Sequence, residues 1–150
     1  MAPFGAGGSA IKKTIKTLTF TGAAGLGAVG SASIFTITGE VLIHALIAFC
    51  TTGLTTTTTG SISLGTTQQV ARFVALIAAS AGDHPIDTGE YWVSTTPTPG
   101  SIDLPDAMQS VIVSEDDIIA TITVAAFTAG VVEFTVFWEP ISADGNLVAA

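Results

Sequence analysis

Residues 116–139 read DDIIATITVAAFTAGVVEFTVFWE, and their periodicity decides the fold class. Glu133 and Thr135 alternate with Val132, Phe134, Val136 and Trp138, and Thr121 and Thr123 alternate with Ile122 and Val124. A period of two puts the apolar side chains on one face of a sheet and the polar ones on the other. Thr128, Ala129 and Gly130 stand where the chain would reverse, and Gly130 can take a positive φ at little cost. A one-sided hairpin is not stable alone in water, so further strands must cover it.

Working outward, strands are expected at residues 11–20, 32–38, 41–51, 61–66 and 90–94, with another after residue 107. The run VLIHALIAFCT, 41–51, is apolar without alternation, which suits a strand buried on both faces. The threonine-rich segment 52–60 reads as a loop or the fringe of an edge strand. Over 68–81 the spacing of Val70, Phe73, Val74, Ile77 and Ala78 leans to a short helix or helical turn that runs into a strand, with Gly82 as its stop. Residues 95–106 contain Pro97, Pro99 and Pro105 and should cross the surface in extended form. Asp144–Gly145 marks a turn in the tail. The expectation is an all-β, single-domain β-sandwich or jelly roll of about eight or nine short strands over 11–150. Residues 1–10, rich in Gly and Ala, precede it as a flexible arm.

The chain is 48% hydrophobic and only 11% charged, with a mean hydropathy of +0.65. Its longest apolar runs fall well short of the roughly 20 residues that a helix needs to cross a bilayer. No apolar segment of secretory type follows Lys12, Lys13 and Lys16, so no membrane partner is expected. The excess therefore points to burial between subunits, because an obligate interface resembles a domain core cut in half. The net charge is −8, with no Asp or Glu before Glu40 and no Lys or Arg after Arg72. An acidic body lacks the clustered cations that neutralise phosphates, which argues against a nucleic-acid partner.

Reactive constellations are weak. GLGAVG, 25–30, matches G-x-G-x-x-G, but the strand-like SASIFTIT follows where a dinucleotide fold needs a helix, and no carboxylate stands near residue 50. His84 with Asp83 and Asp87 lacks the further ligands of a metal shell, and His44 lies in an apolar strand. Glu115, Asp116 and Asp117 read as a solvated turn between strands. No G-x-S-x-G elbow is present. Cys50 is the only cysteine, which excludes an intramolecular disulfide. No catalytic residue, metal or cofactor is expected.

The candidate contact residues are Lys12, Lys13, Lys16, Tyr91, Trp92 and Phe137. Aromatic side chains on an outer sheet face anchor interfaces. Trp138 suits the core, so Phe137 should point the other way, beside Glu133 and Thr135. Trp92, near a proline-rich loop, is also placed to stack on a sugar ring.

The segments IKKTIKTLTFTGAAGLGAVG, FTITGEVLI and DDIIATITVAAFTAGVVEFTVFWEPISADGNLVAA together resemble small virion proteins of tailed bacteriophages, in particular capsid decoration (cement) proteins. That resemblance implies a β-rich homo-oligomer, a trimer in the commonest case, bound to the major capsid protein on the outer shell. It also implies assembly from protein made in the bacterial cytoplasm. A tail or fibre component and a carbohydrate-binding module are the alternative readings.

Overall fold

The computed structural model describes residues 10–79 and 84–150. Two antiparallel sheets face each other across one apolar core. Sheet one is built from β1 (Lys12–Thr19), β10 (Phe127–Pro140), β3 (Glu40–Thr56), β6 (Glu90–Tyr91) and β7 (Thr98–Pro99), in that order, with β8 (Gln109–Ser114) also paired to β3. Sheet two has the order β11 (Asn146–Ala149), β2 (Gly30–Thr38), β9 (Ile118–Thr123), β4 (Ser61–Thr66) and β5 (Val74–Ala78). The all-β sandwich expected from the sequence is what the chain forms, with eleven strands and one short 3₁₀ turn, Asp106–Met108, among the described residues. No helix among them is long and apolar enough to cross a membrane.

Strands β3 and β10 form the spine. Val132 pairs with Cys50, Phe134 with Ala48, Val136 with Leu46 and Trp138 with Ile43, and all eight are buried. From sheet two, Ile34, Phe35, Ile118, Ile122, Ile62 and Leu64 complete the core. Burial of such side chains contributes roughly 1.5–3 kcal/mol each.

Several expectations are corrected. The chain reverses at Val124–Ala126, and Gly130 lies inside β10, although its φ is +123° as foreseen. Strand β3 continues through the first threonines to Thr56, whose buried hydroxyl donates to Thr58 O at 2.9 Å or Ala126 O at 3.0 Å. Satisfying that hydroxyl locally lets threonine occupy a core position. No helix forms over 68–79; Arg72 N donates to Gln69 O at 2.9 Å in a single turn, and β5 follows. The rest of that segment, and Gly82, fall outside the described residues, as does nearly all of the expected arm. EYWVS is a strand only at Glu90–Tyr91, and in the tail β11 follows the Asp144–Gly145 turn.

The connections sort by charge. Residues 20–29, 57–60 and 124–126 lie at one end of the sandwich and carry no charged residue. The connections at the opposite end hold Glu115, Asp116, Asp117, Asp144 and Arg72, with Glu40 and Lys12 at the starts of β3 and β1. There, Asp117 Oδ1 accepts from Ile37 N at 3.1 Å and Asp116 Oδ2 from Gln68 N at 3.3 Å. These carboxylates fix the ends of neighbouring strands rather than standing free in solvent.

Candidate interaction surface

The two outer faces of the sandwich differ. On sheet two the outward positions of β2, β9 and β4 include Ser31, Ser33, Thr121, Thr123, Ser61 and Ser63, and Ser63 Oγ donates to Val70 O at 2.8 Å. Ser31 and Ser33 are exposed there, Ser61, Ser63 and Ile119 are buried at outward positions, and Leu76 on β5 and Val148 on β11 are exposed. The outer face of sheet one carries large apolar and aromatic side chains among charged and polar ones. Its rows run Lys13–Phe137–Ala45–Gln109, Ile15–Thr135–Ile47 and Thr17–Glu133–Phe49–Tyr91, with Leu42 and Ile112 in the row of Glu139. Ile112 is 65% exposed and Ile15 45%, while Leu42, Ile47, Phe49, Tyr91 and Phe137 are half-buried.

The period of two in β10 produces this face. Because Phe134, Val136 and Trp138 turn inward, Glu133, Thr135 and Phe137 turn outward. Phe137 therefore stands where the sequence placed it, with Lys13 beside it on β1. Tyr91 packs on Phe49 at a ring separation of 4.9 Å and an interplanar angle of 52°. Next to this pair, Ile47, Tyr91, Ile102 and Leu104 line an open groove of about 350 Å³. Sequence reasoning missed Phe49 and Ile47, since an unbroken apolar run does not say which of its residues face out.

The other candidate residues go elsewhere. Trp92 is fully buried and meets Phe134 edge-on at 6.3 Å, so it is a core residue and cannot stack on a ligand or anchor a partner. The backbone explains this: Trp92 follows the outward-facing Tyr91, and successive strand residues point to opposite faces. Lys12 and Lys16 turn toward the inner rim of edge strand β1. Lys12 Nζ lies 4.9 Å from the centroid of the Trp138 ring, and Lys16 Nζ donates to Ala150 O. Charges pointing inward on an edge discourage another strand from pairing there. Of the three lysines only Lys13 shares the outer face of sheet one.

His44 sits at a β-bulge, where Phe137 pairs with Ala45 and Trp138 with Ile43. Its Nε2 is buried without a hydrogen-bond partner and lies 3.5 Å from Glu139 Oε1. After GLGAVG the chain enters β2, so no helix N-terminus faces those glycines. Among the described residues no group of three or more His, Cys, Asp or Glu side chains is placed to hold a metal ion. Asp83, one of the residues weighed with His84, lies outside them.

No family model, curated protein or solved structure matches the chain.

Proposed function

We propose that the protein is a structural component that assembles through the outer face of sheet one, and that it serves as a decoration or cement protein on the capsid of a tailed phage. The observation carrying this reading is the contrast between the two outer faces. The exposed positions at the centre of one are Ser31 and Ser33, with the apolar Leu76 and Val148 exposed on its flanking strands; the other groups half-buried Phe137, Phe49, Tyr91 and Ile47 with exposed Ile15 and Ile112. An exposed apolar patch of that kind marks a contact surface in a soluble protein.

The size of the patch bears on the mode of assembly. Four strands about 4.8 Å apart and some nine residues of β10 at about 3.3 Å each give a footprint of roughly 550 Å². Stable pairwise interfaces bury about 800 Å² per partner. A single contact of this area would be weak, and a protein relying on it would hold best as an oligomer touching a lattice at several points. Linked contacts reinforce one another through effective concentration. The homo-oligomer, with a trimer as the expected number, and the major capsid protein as its partner follow from the phage resemblance. With Trp92 in the core, the sugar-binding alternative loses its stacking residue.

The native mass at micromolar concentration tests the reading first, and labelling of the protein on imaged virions tests it second. A monomer together with unlabelled particles would overturn it; label on the tail instead of the head would convert it to the tail-component alternative.

A further inference from the structure

A second concavity, of about 170 Å³, opens at the acidic end between β8 and the turn that joins β4 to β5. Val111, Ile112, Val113 and Ser114 all line it. Side chains alternate in direction along a strand, so four consecutive lining residues mean that β8 presents its edge, not a face. Among the described residues β8 pairs only with β3, which leaves that edge open. Left-handed residues bound it, Ser110 at φ 57° and Glu115 at φ 46°. Within it, every second residue turns its N–H and C=O away from β3, as the antiparallel ladder requires.

Arg72 forms the opposite wall, with Gln68 beside it. It is the sole Lys or Arg after Lys16 in the chain. Arg72 is half-buried as a residue, and its guanidinium makes no hydrogen bond or ion pair with a described residue. An open strand edge facing an arginine without a partner combines the two parts of a peptide site. Main-chain hydrogen bonds hold an added strand, and a charged pocket selects a side chain.

We propose that this cleft binds an extended segment of a partner protein that pairs with Val111–Ser114 and places one carboxylate on Arg72. Asp116 also lines the cleft, and Glu115 and Asp117 flank it in sequence. Their charge repels a run of acids. The segment that fits carries a single Asp or Glu between uncharged, β-branched residues. The site borders the outer face of sheet one at Ile112 but uses the free edge of β8, and it stands or falls independently of the phage reading.

The test is a titration of the ¹⁵N-labelled full chain with the capped pentapeptide Thr-Val-Glu-Val-Thr, followed by amide and arginine side-chain shifts. Saturable shifts at Val111–Ser114 and at the Arg72 side chain are expected, at millimolar affinity. The Gln analogue should bind about fivefold more weakly, as expected for loss of a partly exposed ion pair. A peptide with three consecutive Glu residues should also bind more weakly than the single-Glu peptide. R72Q should remove the preference for Glu over Gln, with the rest of the amide spectrum unmoved. D116N, which keeps an oxygen to accept from Gln68 N, should tighten binding by about twofold. No saturable shift at several millimolar, equal affinity for the Glu and Gln peptides, or an unchanged preference in R72Q would each overturn the proposal.

Discussion

The indole nitrogen of Trp138 donates to Thr14 Oγ1 at 2.9 Å, tying edge strand β1 to the core residue at the end of β10. Trp138 is 2% exposed, so this hydrogen bond satisfies a donor that water cannot reach. Thr14→Val keeps the shape of the side chain and removes the acceptor. Leaving a buried donor unpaired costs about 1–3 kcal/mol. Urea unfolding should show a lower midpoint with an unchanged slope; an unchanged midpoint would remove this bond from the account of how β1 is held.

Strain is concentrated in the connection from β9 to β10. Ala125 N donates to Thr123 O at 2.9 Å, closing a three-residue turn around Val124, whose φ is 71°. A β-branched residue in that region is strained, and a γ-turn of this hand is rare. Val124 is 74% exposed, so its side chain adds little burial in return. Val124→Asn should stabilise the fold by about 0.5–1 kcal/mol, because Asn tolerates a positive φ. For a chain of this size that corresponds to a rise in Tm of about 1–4 °C. A fall in Tm measured by calorimetry would show that the valine makes a contact worth more than the strain.

That turn also shows where the sequence is silent. The alternation in β10, the limits of β4 and the inward position of Trp138 were legible, because each rests on periodicity and burial, which act residue by residue. The place of reversal was not, since Val124, Ala125 and Ala126 carry no turn signal while Thr128–Gly130 carries one. Gly130 is required for another reason: a Cβ there would stand 2.8 Å from both Gly53 O and Leu54 Cα on β3. Close approach of two backbones is a tertiary fact. The same holds for the outer face of sheet one and the Arg72 cleft. Phe49 meets Tyr91, and Arg72 faces β8, only once strands distant in sequence have paired.

Cys50 offers a chemical check on the core. Its thiol is fully buried and lies 3.1 Å from Thr52 O and 3.6 Å from Ile86 O. Burial, reinforced by the carboxylates of Glu90 and Asp87, pushes its pKa up to about 11 from the ordinary 9.0. The neutral thiol is therefore the form the fold favours. The contribution to stability is complete below pH 9 and is lost as the pH rises from 9 toward 11, because the unfolded chain releases its proton first. At pH 8 the thiolate fraction should be roughly a hundredfold below that of the unfolded chain. Labelling with a thiol-specific disulfide reagent should be slow in native buffer and immediate in denaturant. Rapid labelling of the native protein would place Cys50 outside a closed core.

The outer face of sheet one makes the strongest demand on the assembly reading. Phe137 is half-buried between Lys13 on β1 and Ala45 on β3, and Glu133 and Glu139 lie on the same side of β10. Phe137→Glu places a third carboxylate on that face and desolvates it in any contact there. The isolated protomer should lose less than about 1 kcal/mol, since the position is not part of the core. A contact that buries the substituted side chain should weaken by several kcal/mol, enough to dissociate a marginal oligomer. Ser33→Glu, on the outer face of sheet two, supplies the control for added charge alone. Light scattering at matched concentrations should show a smaller particle for Phe137→Glu and an unchanged one for Ser33→Glu, with both variants melting cooperatively. Equal masses for the two would mean that copies of this chain do not meet through sheet one.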